Sequence, residues 1–336
     1  MTTAQRAAVL AGLGAWVPPT VVTNRMLAQR LDTSDEWITT RTGIRQRHAV
    51  DPGMSTCDLA TEAARRALKS AGLDTVDLVV LATTTPDRPC PATAPEVASR
   101  LDMIGVPAFD VAAVCTGFLY ALATSAAMIT AGQAETVLVI GAESFTTILN
   151  PDDRTTTAIF GDGAGAFVLR AGTTDEPGAL LGFDLGSDGE GAELIMVPAG
   201  GSRSRSTGVE PEREDTYFQM QGKQVFMNAV LKMTESTRKV TDSLGWTVSD
   251  IDTLVAHQAN LRIMHAVADR LGVDREKAVV NIDRVGNTAA ASIPLALADA
   301  AAAGTVTAGQ RVLMTAFGGG LTWGSAALVW PDLVPA

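Results

Sequence analysis

The residue best suited to covalent chemistry is Cys115, in the stretch Phe-Asp-Val-Ala-Ala-Val-Cys-Thr-Gly-Phe that runs from Phe109 to Phe118. Residues that favour strands up to Val114 give way to an Ala/Leu/Met-rich run after Gly117, so the pattern predicts a strand handing over to a helix at the cysteine. The first-turn N–H groups of a helix lack intrahelical partners and its dipole is positive at that end, which favours thiolate over thiol. Cys115 is therefore a candidate nucleophile; a buried, inert cysteine is the alternative reading. Two other residues have types that suit the same chemistry. His257 follows a short apolar run, and Asn287 precedes a second small-residue segment, Thr-Ala-Ala-Ala-Ser-Ile-Pro-Leu-Ala-Leu.

The elements that must position these groups belong to a chain of ordinary globular composition. It has 336 residues, 46% hydrophobic and 19% charged, which is enough for two domains or one large double one. Cys57, Cys90 and Cys115 show neither CxxC spacing nor clustering with the three histidines, so neither a disulfide framework nor a metal site is predicted. A net charge of −11 argues against nucleic acid and would repel an acidic carrier protein, so such a partner must meet a local basic patch. Ala7 to Val17 resembles a signal peptide, but Gly12 and Gly14 interrupt it and Pro18-Pro19 ends it; a first buried strand fits better. The uncharged stretch between Asp110 and Glu135 is long enough to raise a transmembrane reading. Its Thr, Ser, Gly and Gln residues point instead to a helix buried on all sides, with no membrane and a cytoplasmic location expected.

Apolar strand-like runs at Val76–Ala82, Val137–Gly141, Ala164–Leu169, Leu254–Ala256 and Val312–Ala316 alternate with helical segments such as Ser55–Ala71, which reads as α/β with buried strands. The order also repeats. Thr61-Glu62 through Gly72 to Val76-Asp77-Leu78-Val79-Val80 is echoed by Thr234-Glu235 through Gly245 to Ile251-Asp252-Thr253-Leu254-Val255. Val137-Leu138-Val139 is echoed by Val312-Leu313-Met314, and Phe160-Gly161-Asp162-Gly163 by Phe317-Gly318-Gly319-Gly320. A duplicated α/β unit follows, with halves 1–172 and 173–336 and the boundary between Arg170 and Asp215, a span that includes the polar loop Gly200–Asp215. If the halves pack about a pseudo-twofold axis, Cys115 and Asn287 face each other from two helix starts, with His257 at a nearby strand end.

Taken together, these segments resemble ketoacyl-acyl-carrier-protein synthase III of the thiolase-like superfamily. Asp32-Thr33-Ser34-Asp35-Glu36-Trp37, Arg41-Thr42-Gly43-Ile44, the Cys115 segment and Phe160-Gly161-Asp162-Gly163-Ala164-Gly165-Ala166 carry the likeness in the first half. His257-Gln258-Ala259-Asn260-Leu261-Arg262-Ile263, Gly286-Asn287-Thr288 and Phe317-Gly318-Gly319-Gly320 carry it in the second. The resemblance implies a five-layered αβαβα fold, a homodimer, acyl-CoA and malonyl-acyl carrier protein as partners, and coenzyme A thioester as substrate with no separate cofactor. It implies decarboxylative condensation at the start of a fatty acid or polyketide chain, with Cys115, His257 and Asn287 catalytic. The oxyanion hole falls to the backbone of Cys115 and Gly319. Adenine is expected between Trp37 and Arg154, with Arg41 and Arg262 towards the phosphates and Thr42 among the substrate-binding residues. Phe160, Gly222, Phe226, Asn260 and Phe317 are expected along the acyl and pantetheine channel.

Residue chemistry supports these roles. A thiol exchanges with a thioester at little free-energy cost, and the attack creates an oxyanion that fixed N–H groups must hold. Decarboxylation of a malonyl thioester leaves an enolate; a neutral imidazole N–H and a carboxamide N–H donate to it without offering a proton that the carbanion would take. Transfer to a non-malonyl acceptor without decarboxylation is the alternative, and it has no use for the asparagine. Family members restricted to short primers carry Phe where this chain has Cys90, the residue that closes the partner's acyl pocket; the smaller Cys90 is expected to open it. Met227 and Asp269 stand at positions that are often basic on the carrier-docking face.

Overall fold

The computed structural model describes residues 5–336. Among the described residues, nine strands form the two main sheets. The first contains β1 (Arg6–Trp16), β2 (Leu78–Ala82), β3 (Ala108–Val111), β4 (Thr136–Glu143) and β5 (Gly163–Thr173), in the order β1-β5-β4-β2-β3. The second contains β6 (Leu180–Ser187), β7 (Thr253–Ala256), β8 (Arg311–Gly318) and β9 (Thr322–Val329), in the order β6-β9-β8-β7. In the first sheet the β1–β5 and β5–β4 pairings are antiparallel and the β4–β2 and β2–β3 pairings parallel; in the second, β6–β9 and β9–β8 are antiparallel and β8–β7 is parallel. The second sheet thus repeats the first strand for strand, apart from β3, whose counterpart is reduced to one parallel bridge between Leu254 and Ala278.

Five layers follow from the helices. α1 (Thr56–Ala71) covers the outer face of the first sheet and α3 (Gly222–Leu244) that of the second, flanked by α4 (Leu261–Leu271). Between the sheets lie α2 (Gly117–Thr130) and α5 (Ser292–Ala302). The outer helices are amphipathic and end alike: Gly72 and Gly245 both adopt left-handed backbone, the conformation that closes a helix without a Cβ penalty. α1 also begins on a capping box between Ser55 and Asp58. The central helices touch apolar surface on two sides, which explains their Ala-rich sequences and uncharged first turns. Among the described residues no helix is long and apolar enough to cross a membrane.

Two details of the repeat differ from the sequence expectation. Neither central helix begins directly at its polar residue, because a 3-10 turn intervenes, Val114–Thr116 before α2 and Ala289–Ala291 before α5. Val114 and Ala289 both have positive φ, 48° and 45°, and their separation equals that between Val137 and Val312. Cys115 is therefore equivalent to Ala290, and Asn287 lies three residues ahead of the position assigned to it by matching helix starts. The glycine-rich turns also fail to superpose. Phe317 and Gly318 are the last residues of β8, whereas Phe160 to Asp162 arrive only after a long excursion from β4. Short sequence motifs fix the order of elements better than their register.

Candidate active site

Cys115 occupies the middle of the Val114–Thr116 turn, half-buried against Phe145, Phe160, Phe218 and Ala289. Positive φ at Val114 is uncommon for a β-branched residue and bends the chain sharply enough to present the sulfur to the interior. The electrostatics reverse the expected preference for thiolate. Burial pushes the thiol well above its ordinary range and the nearby Glu143 carboxylate pushes it further, against a smaller downward pull from the residue's own N–H. The resting nucleophile is a thiol.

Gly318 shows why a glycine must stand opposite. A Cβ at this position would lie 2.9 Å from the Cys115 nitrogen and 3.1 Å from that of Thr116. Among the described residues the N–H groups of Cys115 and Gly319 donate to no backbone carbonyl outside their own elements, so both remain available as donors.

His257 is held one residue beyond β7 by a bond from its N–H to the Thr315 carbonyl at 2.8 Å. Its ring is buried, and burial lowers its pKa to about 3, so the imidazole is neutral. Nδ1 lies 2.6 Å from the hydroxyl of Ser292, the first residue of α5. With Ser292 donating to Nδ1, the ring proton resides on Nε2.

Asn287 is pinned on both sides of its peptide. Its N–H donates to Ile159 at 2.9 Å, and its carbonyl accepts from the Gly161 N–H at 3.0 Å, so a residue of the second half is fastened to the first. The side-chain oxygen accepts from the Ala289 N–H at 2.9 Å, which orients the carboxamide and leaves its NH2 as a donor.

One cavity joins the three groups. Cys115, His257 and Asn287 line it together with Phe160 and Phe317, and the apolar wall includes Phe218, Met220, Val225 and Met233. Its free space is about 40 Å³, so any acyl group beyond the shortest must displace side chains, for which the flexible methionines are suited. Sequence reasoning passed over this wall, although apolar residues at helical spacing after Gly222 carried part of the signal. Gly222 and Phe226 do not line the cavity; Phe226 packs in the outer core of the second half and Gly222 faces open space.

The other residues singled out from sequence lie further out. The guanidinium groups of Arg41 and Arg154 stand 4.7 and 5.4 Å from the Trp37 ring centre, a cation–π cluster at the surface. Arg154 is also paired with Asp32 at 2.9 Å. Thr42 is buried, its hydroxyl donating to Ile38 and accepting from Ile44. Asn260 caps α4 and donates to the Arg41 carbonyl at 3.1 Å, while its neighbour Ala259 reaches the cavity. Arg262 is exposed on the first turn of α4. Cys90 is exposed on the loop between β2 and the Ala94–Arg100 helix, away from this chain's own cavity. Met227 is exposed, and Asp269 is paired with Arg275 at 2.6 Å.

Known proteins match along the whole chain. The family described as 3-oxoacyl-[acyl-carrier-protein] synthase III matches residues 109–189, and its C-terminal part matches residues 241–330. A protein of Streptomyces coelicolor named beta-ketoacyl-[acyl-carrier-protein] synthase III 5 is 61% identical over 97% of this chain and 98% of its own. One of the same activity name from Pseudomonas aeruginosa is 54% identical over 98% of both. Among solved structures, a Pseudomonas aeruginosa 3-oxoacyl-(acyl carrier protein) synthase III superposes with a TM-score of 0.92 at 52% identity, covering 98% of this chain and all of that one. The priming beta-ketosynthase of a polyketide pathway superposes at 0.90 with 34% identity and 99% coverage of both. The chain belongs to the beta-ketoacyl-acyl-carrier-protein synthase III family, condensing acyltransferases of the thiolase-like fold.

Proposed function

We propose that the protein loads an acyl group from acyl-CoA onto Cys115 and condenses it with malonyl-acyl carrier protein, starting a fatty acid or polyketide chain. The carrying observation is the single cavity that Cys115, His257 and Asn287 share. In the first half-reaction the sulfur attacks the thioester carbonyl, the oxyanion forms at the free N–H groups of Cys115 and Gly319, and coenzyme A leaves as thiolate and takes up the cysteine proton. In the second, the malonyl thioester loses CO2, and its enolate oxygen accepts from His257 Nε2–H and the Asn287 NH2. The carbanion then bonds to the acyl carbon, and Cys115 is expelled as thiolate and takes a proton from solvent. No cofactor beyond the thioesters enters this scheme.

Trp37, Arg41 and Arg154 are suited to a flat base and its phosphates, and an adenine would enter by separating the arginine planes from the indole. Homodimer formation fits the open outer edge of β3, which pairs with a strand on one side only. The exposed Cys90 loop lies in the same half and is free to reach a partner's acyl pocket. Nothing in this scheme needs a membrane, and a cytoplasmic place suits it.

The test incubates the enzyme with a panel of acyl-CoAs, then with malonyl-acyl carrier protein, following intact mass and CO2. Acylation followed by one CO2 per discharged acyl group supports the proposal; discharge without CO2 favours simple transfer. Cys115→Ala should abolish acylation, whereas His257→Ala and Asn287→Ala should keep part of it and lose decarboxylation.

A further inference from the structure

Glu143 is a fully buried carboxylate close to the nucleophile, and neither half-reaction uses it. It ends β4. Both its oxygens accept from the Thr84 N–H at 3.0 Å, and Oε2 accepts from the hydroxyls of Thr85 at 2.9 Å and Thr83 at 3.4 Å. The Ala290 N–H also lies against the charge. Every stabilising partner is thus an N–H or O–H group, which is the donor chemistry of an anion hole.

The internal repeat gives this cluster a meaning. The spacing that relates Val137 to Val312 and Val114 to Ala289 also relates Glu143 to Gly318 and Cys115 to Ala290. The strand pairings agree, since Glu143 ends β4 opposite Gly163 and Gly318 ends β8 opposite Thr322. On one side of the pseudo-twofold axis, Gly318 stands against the Cys115 N–H and leaves it open to a substrate oxygen. On the other side the equivalent residue carries a carboxylate, and this carboxylate meets the equivalent N–H. The active site has a twin, and the twin is filled.

We propose that Glu143 is a built-in oxyanion that occupies the symmetry twin of the oxyanion hole and, through Ala290, holds the turn that orients Asn287. The linkage is short. Ala289 has positive φ, a conformation that a residue with a Cβ keeps only when its surroundings impose it. Its N–H is the partner of the Asn287 side-chain oxygen. The turn is also pressed from below, where a Cβ on Gly141 would lie 2.5 Å from the Ala290 carbonyl oxygen. Glu143 is therefore a positioning residue for the enolate-stabilising amide. The inference rests on the role given to Asn287 above.

Burial lifts the Glu143 carboxyl to about 7, so its charge changes within the working range of pH. The test compares wild type, Glu143→Gln, Glu143→Asp and Asn287→Ala in separate assays of self-acylation and malonyl decarboxylation between pH 6 and 8.5. Wild-type decarboxylation should rise across this range as the carboxylate forms. Glu143→Gln should be reduced about tenfold and lose that rise, with acylation changed less than about threefold. Glu143→Asp, which keeps the charge but withdraws it from Ala290, should be slowed while retaining the rise. Removing the buried charge should also shift the alkylation of Cys115 by iodoacetamide to lower pH in Glu143→Gln. Decarboxylation that keeps the wild-type rate and profile in both Glu143 variants, while Asn287→Ala is inactive, would overturn this inference alone. Wild-type decarboxylation in Asn287→Ala would remove the role on which it rests.

Discussion

Ser292 Oγ lies 2.6 Å from His257 Nδ1, so the first residue of a central helix engages one ring nitrogen and leaves Nε2 as the other. Without the hydroxyl, the buried imidazole is free to carry its proton on Nδ1 and lose its donor. Ser292→Ala should slow malonyl decarboxylation about tenfold, the worth of one hydrogen bond, and leave self-acylation nearly unchanged. Rates of the two half-reactions measured separately check this; equal loss in both would show that Ser292 only supports the helix.

Gly318→Ala should damage the first half-reaction as well. The new methyl group would sit 2.9 Å from the Cys115 nitrogen, so the turn or the strand must shift and one oxyanion donor moves out of line. Removing such a donor typically costs roughly a hundredfold in rate. Acyl-CoA loading rates with thermal unfolding measured in parallel test this; near-normal loading by a folded variant would contradict the assigned hole.

The neutral state of His257 predicts a pH dependence of stability with a definite sign. The folded pKa is lowered to about 3 from an ordinary 6.5, so as pH falls the unfolded chain takes up the proton first. The stabilisation is complete above 6.5 and is lost progressively between 6.5 and 3. Between pH 7.5 and 5 wild type should lose about 2 kcal/mol more than His257→Asn in urea unfolding. An identical loss in both proteins would mean that the ring is not held neutral by burial.

If the proposed dimer sets the exposed Cys90 against a partner's acyl pocket, Cys90→Phe should lose longer or branched primers and keep acetyl. Acylation rates across an acyl-CoA series give the answer. Unchanged chain-length preference would remove Cys90 from the gate.

The architecture was readable in the sequence because buried parallel strands leave continuous apolar runs and because the unit occurs twice. Matches such as Val137-Leu138-Val139 with Val312-Leu313-Met314 fall within aligned strands. Register was harder to read. Matching helix starts pairs Cys115 with Asn287, since both precede small-residue helices, whereas the backbone pairs Cys115 with Ala290, an equivalence marked only by left-handed φ at Val114 and Ala289. The thiol's protonation departs from the helix-start expectation for a related reason. A helix start is visible in sequence, but the packing of Phe145, Phe160 and Phe218 around the sulfur, and the charge of Glu143, depend on contacts distant along the chain. Glu143 itself left a faint mark, an acid closing the apolar strand Thr136–Glu143.

The central claim is that a sulfur from one half works with an imidazole and a carboxamide from the other, and a single turnover followed by peptide mass tests it most directly. Enzyme loaded with acyl-CoA should carry the acyl group on the peptide containing Cys115. Malonyl-acyl carrier protein should remove it with release of one CO2 in wild type, and leave it in place in His257→Ala and Asn287→Ala. Acyl groups found on another residue, or discharged with CO2 release by those two variants, would contradict the account.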